Sequence, residues 1–213
     1  MCSERLWVKS MPSKIIMATR NKGKAVELRK LLEEIPVEIM TLDDFPELPE
    51  VNEDGLTFLD NAVKKAETTA EATGLMAIAD DSGLEVEYLM GQPGVRSARF
   101  AGEPPDDARN NDKLLACLKG VPPEQRKARF VSVIAIAVPG GETYTATGTC
   151  EGIILDELRG NGGFGYDPLF YVPALEKTFA ELSTEEKNRI SHRGEALRKA
   201  GAILRRLFMN SGV

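Results

Sequence analysis

At 213 residues, 42% hydrophobic and 28% charged, the chain has a globular balance and fits one large domain or two closely packed lobes. Its apolar runs are too short and interrupted to cross a bilayer, and Met1 to Pro12 lacks the apolar core of a secretory signal. With 27 basic against 33 acidic residues the formal charge is −6, which argues against broad nucleic-acid binding but leaves room for a small anionic substrate in a local basic pocket.

Residues 1–12 carry little pattern and are expected to form an N-terminal extension. Lys14 to Ala18 predicts a short apolar strand that runs into Thr19-Arg20-Asn21-Lys22-Gly23-Lys24. A helix is expected over Ala25 to Glu34, with Val26, Leu28, Leu31 and Leu32 as its apolar side; Pro36 ends it, and Val37 to Met40 reads as a second strand. Residues 42–54 form an acidic loop. A long helix fits Leu56 to Ala72, its apolar side including Phe58, Leu59, Ala62, Val63, Ala66 and Ala70, with Gly74 as the C-cap. Met76 to Ala79 predicts a buried strand ending at Asp80-Asp81-Ser82-Gly83, followed by a strand over Leu84 to Leu89 and a Gly/Pro loop at Gly91 to Gly94. Asp106 to Lys119 suits a helix. Ala128 to Val138 and Thr143 to Thr149 read as a hairpin turning at Pro139-Gly140-Gly141, which Gly152 to Leu155 extends. Ser183 to Glu186 has the form of a capping box, and the last helix is expected from Gly194 to Met209 with Ala196, Leu197, Ala200, Ile203, Leu204 and Leu207 inward. This alternation implies an α/β fold with a long central mixed sheet, and no linker divides residues 13–210. Cys2, Cys117 and Cys150 show no metal-ligand spacing; two are expected as small buried hydrophobes and one as a terminal thiol, in a reducing cytoplasm.

Four segments carry chemistry. Thr19 to Lys24 is a strand-to-helix turn, where free N–H groups, Lys22, Lys24 and the close approach allowed by Gly23 suit a triphosphate. The GxxxxGK[S/T] spacing of a Walker A loop is absent, and an ordinary helix start explains the segment equally well. Glu53, Asp54, Asp80 and Asp81 form an acidic set suited to a hard cation. For Asp54 helix capping is the preferred reading; for Asp81 it is function, because adjacent like charges need screening. Gly162 to Pro168 places glycines around Phe164, which serves either as a stacking platform or as a core ring in a tight turn. Lys187 to Gly194 groups the chain's one histidine, His192, with Arg193 and Lys187, a set that suits phosphate and a base carbonyl or a solvated helix corner.

Taken in order, Ala18 to Lys24 with Glu27, Glu53 with Gly55 to Phe58 and Asn61-Ala62, Ala79 to Leu84, Pro93 to Arg99, Gly162 to Pro168 and Ser191 to Gly194 resemble the Ham1, or inosine triphosphate pyrophosphatase, family over about residues 14 to 207. The resemblance implies an elongated α/β fold of two lobes around a long mixed sheet, with helices on both sides and the active site in a cleft between the lobes. It implies a Mg²⁺-dependent homodimer that hydrolyses ITP, dITP and XTP to the monophosphate and pyrophosphate. Thr19, Arg20, Asn21, Lys22, Gly23 and Lys24 would hold the phosphates. Glu53 and Asp81 would serve the metal, with Asp81 also the catalytic base. Ser82 would touch the substrate, Phe164 would stack on the base beside Gly165, Tyr166 and Asp167, and Lys187, His192 and Arg193 would complete the pocket. The expected step is attack of a Mg²⁺-activated water on the α-phosphorus, with Lys24 and Lys187 steadying the leaving pyrophosphate. A pyrophosphatase for a modified pyrimidine nucleotide and a non-catalytic nucleotide-binding regulator are the rival readings. Glu53 and Asp81 disfavour the regulator, since negative groups beside phosphates do not help a pure anion binder.

Overall fold

The computed structural model describes residues 14–209 apart from 34 and 36. The expected extension at 1–12 lies outside them, as do the side chains of Lys22, Glu27, Leu31 and Met209 and the surroundings of Gly23. The described strands are β1 (Lys14–Met17), β2 (Glu38–Thr41), β3 (Met76–Val86), β4 (Lys127–Ala137), β5 (Thr143–Ile154), β6 (Phe170–Val172) and β7 (Lys177–Thr178). They form one sheet in the order β2-β1-β3-β4-β5-β6-β7. β1 runs parallel to β2 and β3, and every later pairing is antiparallel, so the sheet is mixed, as expected. The helices are α1 (Lys22–Leu32), α2 (Phe58–Thr73), α3 (Asp107–Cys117), α4 (Thr184–Ile190) and α5 (His192–Met209).

Strand alternation sorts the core. Met76, Ile78, Ile134 and Ile136 face α1 and α5, where Leu28, Leu32, Ala196, Ala200 and Leu204 meet them. The residues between them, Ala77, Ala79, Val131, Val133 and Ala135, face α2 through Phe58, Ala62, Ala66 and Ala70. A third cluster lies towards the other end of the sheet, where Leu84 and Val86 pack with Leu114, Leu118, Phe130, Phe170 and Phe179. Fully burying each such large side chain contributes roughly 1.5–3 kcal/mol.

Several elements differ from the sequence reading. Helix α1 starts three residues earlier, because the Asn21 side chain accepts from Lys24 N (3.1 Å) and caps it; Val26 faces solvent. Helix α2 is capped by Thr57 in a capping box with Asp60, not by Asp54, whose carboxylate pairs instead with exposed Lys64 at 2.6 Å. Leu59 lies on the outer side of that helix. Cys117 is exposed rather than buried, since the apolar side of α3 is Leu114 and Leu118. The short strands β6 and β7 carry too few residues for an alternation to show.

The largest difference concerns Asp80 to Gly83. No turn occurs there; β3 continues unbroken to Val86, held residue for residue against β4 from Ala77–Ala137 to Val86–Ala128. β1, however, pairs with β3 only as far as Ile78, and Ala18 N donates the last backbone bond to Ile78 O. From Leu84 onward the same edge is covered again, where Leu84 N donates to Ser97 Oγ (2.9 Å) and Glu85 bridges to Pro93. Among the described residues no strand pairs with residues 79–83 on this edge. That gap gives access to side chains on both faces of the sheet.

One close approach fixes α5 over the sheet. A Cβ placed on Gly148 of β5 would overlap the His192 carbonyl oxygen and stand 2.5 Å from Ala196 N, both backbone atoms. Gly148→Ala should therefore cost about 1–3 kcal/mol, the usual size of an overpacking penalty. Thermal unfolding checks this: the midpoint should fall by several degrees, whereas an unchanged midpoint would show that α5 gives way freely.

Candidate active site

At the gap in the sheet edge lies a cavity of about 430 Å³, lined by residues of the 18–24 turn, the 48–53 loop, α2, mid-β3, the 163–167 turn and the α4–α5 corner. Of the sequence-predicted residues, Thr19, Arg20, Asn21, Lys24, Glu53, Asp81, Ser82, Phe164, Gly165, Tyr166, Asp167, Lys187, His192 and Arg193 all line it. For Lys22 and Gly23 only their place in the first turn of α1 is described.

The sheet separates the two aspartates that the sequence sets side by side. Asp80 points to the α1/α5 side, where Lys24 Nζ stands 3.0 Å from its carboxylate and Arg193 Nε 3.9 Å. It is 2% exposed, and among the described residues its Oδ1 has no hydrogen-bond partner. Burial pushes its pKa up, but Lys24, Arg193 and Lys65 outweigh burial and hold it below the usual carboxylate value, so Asp80 stays ionised as a fixed counter-ion.

Asp81 points to the α2 side. Asn61 Nδ2 donates to its Oδ2 at 3.1 Å, and Lys65 Nζ lies 4.0 Å from its Oδ1. Lys65 also reaches Glu53 Oε1 at 3.1 Å and donates to the carbonyl of Asp80 at 2.6 Å. Burial raises the pKa of Asp81, Lys65 and Lys24 oppose that, and the nearby carboxylate that raises it further is Glu53. The carboxylate that shares this face with Asp81 is Glu53 rather than its sequence neighbour Asp80, because successive strand residues face opposite ways.

Glu53 and Asp81 thus converge on one ammonium group. Among the described residues no group of three or more His, Cys, Asp or Glu side chains is arranged to hold an ion. Two carboxylates facing one cation still fit a hard divalent ion, because such ions bind through one or two carboxylates with phosphate oxygens and water completing the shell.

The far wall is the 163–167 turn. Gly163 and Gly165 have positive φ (73° and 61°), which lets the chain turn tightly on both sides of Phe164 and leaves that ring 47% exposed at the cavity. Phe164 is therefore a surface ring, not a core one. Asp167 Oδ2 accepts from Phe164 N at 2.9 Å and from Lys187 Nζ at 2.5 Å. Lys187 Nζ stands 4.9 Å and Arg193 Cζ 5.5 Å from the centre of the Phe164 ring. Tyr166 is buried, and its hydroxyl donates to Ser97 O (2.8 Å), so it pins the turn to the segment after β3.

At the α4–α5 corner, Arg193 donates to Ser82 Oγ (3.1 Å), and Ser191, His192 and Arg193 are all buried rather than solvated. His192 stacks on Phe130 with ring centres 4.7 Å apart. Burial first, then Arg193, Lys187 and Lys24, hold its pKa well below the usual histidine value. It is a neutral imidazole at pH 7 and adds no positive charge for a phosphate, which corrects one use suggested by the sequence.

Sequence reasoning assigned no role to Lys65, although a signal existed. Asn61, Ala62, Ala66 and Thr69 of α2 are buried, and Lys65 interrupts that stripe at helical spacing with a side chain only 12% exposed. A lysine on a buried helix side needs an acidic partner, and here it has two. Asp107 also lines the cavity and was not singled out.

Each lysine described in the cavity is paired with a carboxylate, and every carboxylate pairing leaves the ammonium near an opening sized for a small ligand. An exposed flat ring on one wall and paired carboxylates and ammonium groups on the others give this cavity, on a mixed α/β sheet, the means to take a small ligand that carries both a planar group and anionic groups. The chain belongs to the Ham1 family, whose model matches residues 15–203. It is 60% identical over 200 residues to the dITP/XTP pyrophosphatase of Desulforamulus reducens, covering 94% of this chain and 100% of that protein. It is 54% identical over 185 residues to that of Geobacter sulfurreducens, covering 87% and 93%. Among solved structures it resembles the Staphylococcus aureus Ham1 protein with a TM-score of 0.84 and 42% identity, covering 90% of this chain and 97% of that one. A nucleoside-triphosphatase / dITP/XTP pyrophosphatase from Mycobacterium abscessus gives 0.77 and 46%, covering 88% and 98%.

Proposed function

We propose that this protein hydrolyses deaminated purine nucleoside triphosphates, ITP, dITP and XTP, to the monophosphate and pyrophosphate. It is a hydrolase of phosphoanhydride bonds and, in the cell, would clear these nucleotides from the pool. The observation that carries the reading is the convergence of Glu53 and Asp81 on one cation, across the cavity from exposed Phe164.

Glu53 and Asp81 would hold Mg²⁺. Bound there, the ion would lower the pKa of water and neutralise phosphate charge. Asp81 takes a proton from the attacking water, whose oxygen forms a bond to the α-phosphorus. The bond from that phosphorus to the bridging oxygen breaks, and its electron pair leaves with pyrophosphate. Thr19, Arg20, Asn21, Lys22, Gly23 and Lys24 receive the phosphates. Lys24 is already oriented by Asp80, so little reorganisation is needed when the anion arrives. Lys65 orients Glu53 and Asp81. At the other end Phe164 stacks on the base and Arg193 donates to a 6-oxo group, while Ser82 steadies Arg193. Lys187 is tethered to Asp167 beside Phe164, which supports placing it at the base end rather than on the leaving pyrophosphate. The separation of the third apolar cluster from the other two supports a division into two lobes with this cavity between them. The protein would act as a cytoplasmic homodimer. Free thiols at Cys117 and Cys150 suit a reducing compartment, and exposed Leu56, Tyr88 and Met90 supply apolar surface for a partner copy. Among the described residues no helix is long and apolar enough to cross a membrane.

A pyrophosphate-release assay with Mg²⁺ over a panel of ITP, dITP, XTP, ATP, GTP and a modified pyrimidine triphosphate tests the substrate assignment. The three deaminated purines should be cleaved far faster than the others. Equal rates across the panel, or a preference for the pyrimidine, would refute it.

A further inference from the structure

Helix α3 has no part in the chemistry above, yet its polar side holds both segments at the Phe164 end of the cavity. Asp107 Oδ2 accepts from Gly165 N at 2.7 Å. Asn111, one turn further on, donates from Nδ2 to Gly165 O at 2.9 Å. The two side chains therefore grip both polar groups of the residue that follows Phe164. Asn110 acts in the same way on the neighbouring segment: its Nδ2 donates to Ala98 O (2.9 Å) and its Oδ1 accepts from Ala101 N (2.7 Å). Asn110 and Asn111 are 2% and 5% exposed, so α3 buries two amides to bond loop backbone. Among the described residues both ends of the Asn110 amide are bonded, whereas Asn111 is bonded through Nδ2 and its buried Oδ1 has no partner; hydrogen bonds made by such buried groups rigidify what they hold. Tyr166, bonded to Ser97 O, ties the two segments to each other.

We propose that Asp107 and Asn111 are positioning residues for base recognition: they clamp the Gly165 peptide and hold the Phe164 ring in the orientation a purine stacks on. The proposal rests on the reading of Phe164 as the base platform. Exposed loops with paired glycines otherwise sample many conformations, and ordering them on binding weakens affinity. The clamp removes that cost before the nucleotide arrives. Its hydrogen bonds go to the turn and not to the 18–24 segment, so it acts on the nucleoside part of a ligand rather than on the polyphosphate.

The test uses the full chain with Mg²⁺ and compares Asn111→Ala, Asp107→Ala and Asp107→Asn with the unaltered protein. Two quantities are read: the KM and kcat for ITP, and inhibition by inorganic tripolyphosphate, which has no base. For the two alanine variants KM should rise about tenfold, the scale of a lost hydrogen bond, with kcat little changed and tripolyphosphate inhibition unaltered. Asp107→Asn keeps an acceptor for Gly165 N and should return KM close to the original. Parallel weakening of ITP and tripolyphosphate would mean a general loss of fold and overturn the clamp. Unchanged KM in both alanine variants, or an Asp107→Asn variant as weak as Asp107→Ala, would overturn it too. Failure of the unaltered protein to cleave ITP would overturn both this proposal and the substrate reading beneath it, a result distinct from the others.

Discussion

Asp81→Asn is expected to lower kcat for ITP by at least about a hundredfold, the scale of lost general-base catalysis, while leaving the fold intact. The amide keeps the shape and the contact with Asn61 but can neither take a proton nor add charge to the pair it forms with Glu53. The same variant carries a stability signature with a definite sign. In the folded protein burial raises the Asp81 pKa above its ordinary 3.8, so the folded form retains a proton that the unfolded chain has already lost. The stability this group contributes is complete below 3.8 and is lost as pH rises through the raised value. Asparagine never ionises. In metal-free protein the variant should therefore match the unaltered chain at low pH and exceed it at neutral pH. The gain reflects relief of burial and of Glu53, not of Asp80. Denaturant unfolding at the two pH values, beside steady-state kinetics, checks both halves. Near-normal turnover would remove Asp81 from the mechanism, and a variant less stable at neutral pH would contradict the electrostatic account.

Arg193 is expected to carry the preference for 6-oxo purines. Hypoxanthine and xanthine present a carbonyl acceptor at C6 and adenine an amino donor; arginine has donors only. Facing adenine, it leaves a buried polar contact unmatched at a cost of about 1–3 kcal/mol, or roughly tenfold to more than a hundredfold in kcat/KM. Alanine is a poor test here, because it would remove one of the two cations that lie within 4.0 Å of buried Asp80 among the described residues and endanger the fold. Arg193→Lys retains the charge beside Asp80 and loses the forked donors that reach Ser82 and the base. It should lower kcat/KM for ITP much more than for ATP, so the ratio between them collapses. Equal losses for both substrates would place Arg193 in phosphate binding or in the fold, and base reading elsewhere. Guanine also has a 6-oxo group, so rejection of GTP must come from another contact.

What the sequence made legible follows from the range of the interactions involved. The capping box at Ser183, the inward side of α5 and the hairpin at Gly140 depend on neighbours within a few residues, and each was readable. The run Asp80 to Gly83 reads as the end of one strand and the approach to another, because its residues have low strand propensity, so the continuous β3 is not legible locally. Its strand is imposed by β4, some fifty positions away in the chain. The continuity has a chemical consequence: successive strand residues face opposite ways, which sends Asp80 to Lys24 and Asp81 to Lys65. The residues that line the cavity were legible because the family's blocks stand in order along the chain. Their pairing was not, since Lys187 with Asp167 and Arg193 with Ser82 join residues that only the folded chain brings together. The neutral state of His192 was hidden for the same reason, being set by burial against Phe130.

In the proposed reaction water attacks the α-phosphorus of a deaminated purine triphosphate. Hydrolysis of ITP with Mg²⁺ in water enriched in a heavy oxygen isotope, followed by mass spectrometry of the products, tests it most directly. IMP and pyrophosphate are expected as first products, with the label in IMP alone; label in pyrophosphate, or IDP and orthophosphate as first products, would rule out attack at the α-phosphorus.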